Sequence, residues 1–480
     1  MERLRGLDAA FLALETPTMH MHMAAVLVLE PPEHTRSEPP ALQIERMRHV
    51  VEERLHLVPL LRRRVLRVPF GLDHPIWADD PAFDPDYHLQ RASLPAPGGP
   101  AELAAFVAAV ASRPLDGGRP LWEMHFVEGL ESGHVAVVPK LHHAVIDGVS
   151  GAETLAAFLD LLPDGRAVER PARRFRPEPL PGEIEVLGHA LSSLARQPER
   201  AVDALRRTFG ALRDLSERNR RLREEEELQP PPAPFRAPRT SLNGAISSQR
   251  RAAFAEVPLE EVSAVRHVFG GTVNDVVLAA VSGALRRLLA ERGDTPGDPL
   301  VAMVPISVRT EEDLGTQGNK LSAMLVSLAT TTADPVERLR IVAEGTRLAK
   351  EQARVLSEDL IRGWAQLASP ALAARLARLS GNLRLFDHLP PLFNVVVSNI
   401  PGPDVPLWWA GARLAALYPV GPIVEGVGLN VTVISYVGTL HIGVVGCREL
   451  VPEVDHLGHL LVDAFAELTK AAARQGGHWG

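Results

Sequence analysis

Cysteine is almost absent: Cys447 is the only one in 480 residues. A lone thiol excludes an internal disulfide and a cysteine-built metal cage, and it fits a reducing compartment. Long apolar runs are absent too, and no stretch approaches the ~20 residues that a membrane-spanning helix needs. The opening MERLRGLDAAFLALE is charged on both sides and lacks the continuous apolar block of a secretion signal. These absences lead to the expectation of a cytoplasmic protein, with peripheral membrane contact left open. Positive charge is not in excess: 51 Lys and Arg face 59 Asp and Glu, a formal net charge of -8, which argues against nucleic acid as a partner. Within that total, LRRRVLRVPF (Leu61–Phe70) interleaves arginines with apolar side chains. A solvated face and a membrane or phosphate contact are both open readings of it. Two hydrolase signatures are also missing, the GxSxG elbow and the HExxH zinc motif.

What is present is a globular balance, 46% hydrophobic and 23% charged, over a length that favours two domains. Short β-branched strands alternate with helical patterns over 1–162, including AAVLVLE (Ala24–Glu30), the helical ALQIERMRHVVEERL (Ala41–Leu55) and the strand HVAVVPK (His134–Lys140). The composition turns proline-rich, basic and strongly charged over 163–240, read as a crossover between two lobes. A second globular run, 241–480, contains the amphipathic helix Thr272–Gly293 and strands at Leu300–Val308, Phe393–Asn399, Leu429–Val437 and Thr439–Gly446. The last two are joined by a tight turn at Gly438. The fold class expected is mixed α/β in two lobes.

The chemistry concentrates in PKLHHAVIDGVSGAE (Pro139–Glu153). Strand alternation puts Val135, Val137, Leu141 and His143 on one face and Ala136, Val138, Lys140 and His142 on the other. Only one of the two histidines therefore addresses a given site. Beyond the turn at Asp147-Gly148, Ser150 and Glu153 form a capping box, and Leu155, Phe158, Leu159 and Leu162 a buried stripe. Histidine takes protons near neutral pH. From residue types alone, structural histidines and a general base both remain open, while zinc ligation lacks a third ligand nearby.

The motif HHAVIDG resembles the HHxxxDG signature of the coenzyme A-dependent acyltransferase superfamily, which includes chloramphenicol acetyltransferases and peptide-synthetase condensation domains. RLRGLDAAFLALETPTMHMHMAAVLVLE, HPIWADDPAFDPDYHLQRASLP, RPLWEMHFVEGL, TVNDVVLAAVSGALRRLL and NVVVSNIPGP are similar, in order, to the bacterial wax ester synthase/diacylglycerol acyltransferase family. The resemblance runs to about Val451 and weakens in the crossover. It implies a two-lobed chloramphenicol acetyltransferase-like fold with a substrate tunnel between the lobes. It also implies transfer of an acyl group from long-chain acyl-CoA to diacylglycerol or a fatty alcohol at a membrane or lipid-droplet surface. The implied base is His143, with no acyl-enzyme, no metal and no cofactor beyond acyl-CoA as co-substrate.

The same resemblance places His142 as a tunnel-lining, orienting or structural neighbour. Asp147 would pair with an arginine, for which Arg309 is the candidate, and Gly148 would permit the turn. Pro120, Leu121 and Trp122 match a structural element of the family. Asn274 and Asp275 match an element at a helix start, where capping explains both and an acyl-channel role is the alternative. Ser398 and Asn399 end a strand and are candidate donors to a developing oxyanion, with turn formation as the alternative reading. Asn430 and Thr432 are placed near the same cleft. Two rivals stand beside this reading: a carrier-protein-dependent acyltransferase or condensation enzyme, and a non-catalytic lipid-binding protein on the same fold.

Overall fold

The computed structural model describes residues 2–4, 6–35, 37–69, 73–145, 154–169, 175–180, 182, 232, 236–307, 321–355, 387 and 390–476. The first half contains β1 (Glu2–Arg3), α1 (Gly6–Leu14), β2 (His22–Glu30), α2 (Pro40–Arg54), β3 (Arg63–Leu66), β4 (Ile76–Asp79), α3 (Pro85–His88), β5 (Leu89–Ser93), α4 (Pro100–Ala111), β6 (Trp122–Glu128) and β7 (Val135–His142). The second half contains β8 (Arg250–Pro258), α5 (Leu259–Phe269), α6 (Val273–Glu291), β9 (Val301–Ser307), β10 (Leu321–Ser327), α7 (Pro335–Val355), β11 (Val395–Ile400), β12 (Trp408–Trp409), β13 (Ala412–Val420), β14 (Leu429–Tyr436), β15 (Thr439–Cys447) and α8 (Val454–Gly476).

The strands form two six-stranded mixed sheets, ordered β12-β13-β2-β7-β6-β5 and β10-β9-β11-β14-β15-β8, and a small sheet, β1-β4-β3. The lobes therefore exchange a segment. Strand β13, from deep in the second half, pairs with β2 in the first sheet, as in Leu417↔Leu27, and β12 pairs with β13 at the edge. Lobe boundaries drawn at 162 and 241 do not anticipate this, because a strand's own sequence encodes its pleat and not its partner. Where β13 crosses β15, the two sheets nearly touch. A Cβ on Gly443 would fall 1.7 Å from the Pro419 carbonyl oxygen, so only glycine fits. The hairpin expected at Gly438 is present. Val437 and Gly438 both have positive φ, which gives a two-residue turn between β14 and β15.

Each lobe builds its own core. Helices α6, α7 and α8 cover the second sheet with Val277, Val281, Leu285, Leu339, Val342, Leu461 and Phe465. On β7, alternation holds: Val135, Val137 and Leu141 pack with Trp122 and Trp409, while Ala136 and Val138 pack with Val445 and Cys447 of the other sheet. Pairing with β6 continues through Pro139, opposite Met124. The stripe expected over 155–162 is corrected at its end. Phe158 and Leu159 are buried, but the helix stops at Phe158 and Leu162 is 66% exposed. The capping pair Ser150 and Glu153, and most of the expected crossover, lie outside the described residues.

Candidate active site

The histidine pair sits where β7 runs out, between β2 and β6. His142 pairs with His22 across β2, and its N–H donates to the Leu121 carbonyl at 3.0 Å. His143, one residue further, donates its N–H to the Met21 carbonyl at 2.8 Å. Both backbones are therefore fixed before the chain turns.

The two rings live in different surroundings. His142 is only 1% exposed. Its Nδ1 accepts the N–H of Ala144 at 3.0 Å, so in the neutral ring the proton sits on Nε2, which lies 4.0 Å from Glu15 Oε2. Burial, reinforced by the His143 and Arg67 charges, lowers its pKa to about 3. Its one basic lone pair is spent on the turn. His143 is half-buried as a whole residue, and its ring packs against Phe11 of α1 with centroids 4.9 Å apart and planes 30° from parallel. Burial alone lowers its pKa to about 4. Both rings are therefore neutral across the physiological range, the form in which an imidazole can take a proton.

The PLW element supports this end of the sheet. Leu121 supplies the carbonyl that holds His142. Trp122 is buried, stacks on His88 at 4.4 Å and donates Nε1–H to the Leu61 carbonyl at 2.7 Å. Behind the pair lies a polar cluster that sequence reading missed. Lys140, fully buried, donates Nζ to the carbonyls of Val110 and Arg113 and to Glu123 Oε1 at 2.8 Å. His20 and His22 meet the carbonyls of Ser112 and Ala111 through Nε2, at 3.2 and 3.0 Å. Three basic side chains thus satisfy the orphan carbonyls that end α4, where the helix dipole is negative. The alternating MHMHM run, with His20 and His22 two apart on one face, was the available signal.

Asp275 closes a capping box at the start of α6: Thr272 N and Oγ1 both donate to Asp275 Oδ2 at 2.8 Å, and Thr272 Oγ1 accepts from Asp275 N at 3.3 Å. Asn274 lies half-buried in the same first turn. Asn430 and Thr432 are buried and hydrogen-bonded internally. Thr432 Oγ1 donates to Asn430 Oδ1 at 2.7 Å, and Asn430 Nδ2 donates to the Pro422 carbonyl at 2.8 Å. Ser398, half-buried on β11, stands opposite Thr432 in parallel register, with Asn399 opposite Val433. Asp147, Gly148 and Arg309 lie outside the described residues.

The described residues line cavities that include the following two. One, of about 110 Å³, lies by Tyr436, His441 and Arg413; the other, of about 10 Å³, lies by His20, His22 and Arg250. His143 lines neither. Among the described residues, no three His, Cys, Asp or Glu side chains are grouped to hold a metal ion.

Residues 4–277 match the wax ester synthase/diacylglycerol acyltransferase catalytic domain, and residues 317–469 match the C-terminal domain of the same family. A putative diacylglycerol O-acyltransferase of Mycobacterium tuberculosis is 35% identical over 99% of this chain and 91% of its own. Another from that organism is 38% identical over 91% of this chain and 90% of its own. Among solved structures, a wax ester synthase/diacylglycerol acyltransferase from Marinobacter aquaeolei superposes with a TM-score of 0.69 at 28% identity, covering 98% of this chain and 100% of that one. A starter condensation domain of rhizomide synthetase shares the fold at a TM-score of 0.54 and 16% identity, over 98% of this chain and 94% of that one. With both family domains matched in order around a histidine pair fixed at the exit of β7, the chain belongs to the wax ester synthase/diacylglycerol acyltransferase family.

Proposed function

We propose that this acyltransferase moves a long-chain acyl group from acyl-CoA to a lipid alcohol, diacylglycerol or a fatty alcohol, with His143 as general base. The observation that supports the reading is the placing of the pair where β7 ends: His142 has its Nδ1 committed to the Ala144 amide, and His143, neutral, has its backbone held by the Met21 carbonyl. The His143 imidazole takes the hydroxyl proton as the acceptor oxygen attacks the thioester carbonyl. The tetrahedral oxyanion collapses, the C–S bond breaks, and the imidazolium returns the proton to the coenzyme A thiolate. No acyl-enzyme forms. Ser398 and Asn399, at the end of β11, are our candidates for donating to the oxyanion. Asp147 and Arg309 are assigned as the ion pair that holds the loop after His143, with Gly148 allowing its turn. The two substrates enter through a tunnel between the lobes.

Peripheral attachment to a membrane or lipid-droplet surface belongs to the same proposal. Among the described residues no single helix is long and apolar enough to cross a membrane. Leu161 and Leu162, 67% and 66% exposed, are the apolar pair we assign to that contact.

Purified protein given radiolabelled palmitoyl-CoA, with diacylglycerol and hexadecanol in competition and no carrier protein, should form labelled triacylglycerol or wax ester. His143→Ala should lower the rate by about 10²–10⁴ and leave the melting temperature nearly unchanged. Full activity in His143→Ala would overturn the base assignment, and activity only with carrier-bound acyl groups would overturn the donor.

A further inference from the structure

We propose that Phe11 is a positioning residue for the base, its ring packed against the His143 imidazole, restricting that ring's rotation and its hydration. The inference rests on the general-base reading above and deepens it. The two rings are in contact with centroids 4.9 Å apart and planes tilted by 30°. Phe11 is itself held from behind. It is partly buried against the core where Met19, Met21 and Val138 meet Val445 and Cys447. That cluster contains Met21, whose carbonyl also holds the His143 N–H. Backbone and ring of His143 are thus fixed from one packed group of residues.

The chemistry of the contact decides what it does. A phenyl group carries no hydrogen-bond donor, so it does not compete for an imidazole lone pair. The same phenyl group displaces hydrating water where the rings meet and opposes rotation about χ2, which is broad and weakly restrained for histidine by itself. Water removal favours the neutral ring, because burial penalises the charged form. Among the described residues, the charged or titratable groups on the surrounding elements include Asp8 on α1, Glu15 just beyond it, His20 and His22 around the start of β2, Glu123 and His125 on β6, Lys140 and His142 on β7, and Arg67 after β3. For His143 itself the downward shift comes from burial.

The test is the acid limb of kcat/KM against pH, which reports the base in the free enzyme. It is measured with palmitoyl-CoA and a soluble diacylglycerol for the full chain, Phe11→Ala and Phe11→Tyr. In Phe11→Ala the limb should move up by about one pH unit, toward the unperturbed histidine value, and kcat should fall about tenfold. Phe11→Tyr, which keeps the ring contact, should restore both. Thermal melts run in parallel separate this from simple loss of fold. If Phe11→Ala lowers kcat with an unmoved acid limb, or if Phe11→Tyr behaves as the alanine variant does, Phe11 is not positioning the base. His143→Ala is the control for the reading underneath: activity retained there ends the base assignment itself, whereas an inactive His143→Ala with an unshifted Phe11→Ala ends the Phe11 inference alone.

Discussion

The Leu121 carbonyl accepts the backbone N–H of His142 at 3.0 Å. This one hydrogen bond joins the element built around Trp122 to the histidine pair, although the two are some twenty residues apart in sequence. Trp122 anchors the start of β6, β6 pairs with β7, and β7 delivers His142 and then His143. Packing at Trp122 is therefore transmitted to the site through backbone.

Replacing Trp122 tests that link. Trp122→Phe keeps most of the apolar area but removes the Nε1–H donor from the buried Leu61 carbonyl, a loss of about 1–3 kcal/mol. Chemical denaturation should show a lower midpoint, with kcat falling less than in any variant of His143. A midpoint unchanged from the parent would show that the indole hydrogen bond is replaceable by water.

Lys140 should be costly to remove. Glu123 is held down to about 2 despite burial, by hydrogen bonds from His125 and the Lys140 ammonium. Lys140→Met leaves that carboxylate with one partner fewer and uncaps the Val110 and Arg113 carbonyls. Breaking a buried pair on one side costs about 3–5 kcal/mol. Calorimetry showing a melting temperature within a degree or two of the parent would contradict the pairing.

Acid should destabilise the fold at mildly low pH. Burial is the largest cause lowering the pKa of His20, His22, His142 and His143, the first to about 4 and the last two to about 3 and about 4. A lowered value means the native rings stay neutral while the unfolded chain binds protons below its ordinary pKa of about 6.5. Stability is thus complete above that value and falls as the pH drops from 6.5 toward 4, by up to about 1.4 kcal/mol per pH unit for each histidine. Glu15 and Glu425, raised by burial, oppose part of this at the acid end of the window. A urea midpoint that stays flat between pH 7 and pH 5 would contradict the neutral histidines.

Asp275→Ala separates capping from substrate contact. Loss of the capping box with Thr272 should cost about 1 kcal/mol in stability, with the KM for palmitoyl-CoA unchanged. A several-fold rise in KM at an unchanged melting temperature would place Asp275 on the acyl path instead.

Much of the fold was legible along the chain. The helix over Ala41–Leu55 lies within one residue of α2, and the Thr272–Gly293 helix contains α6 with its cap at Thr272. The alternation drawn for β7 is the one its two faces show. The site was legible where residue type and short spacing carry the information, as in HHAVIDG and PLW. It was not legible where polar atoms find one another across the fold. The side chains of Asn430 and Thr432 bond to each other and to the Pro422 carbonyl, partners that no spacing names. His20 and His22, flagged only by the alternating MHMHM run, cap α4 from some ninety residues away.

The sequence by itself determined the family, the period of each long helix and strand, and which two adjacent histidines compete for the chemistry, because these depend on neighbours within a few residues. Only the tertiary structure decided the outcome for each ring and each sheet. It buried His142 on the Ala144 amide, laid Phe11 against His143, and carried β13 across to pair with β2. Burial, lone-pair use and strand partnership are set by groups distant along the chain, and no local pattern encodes them.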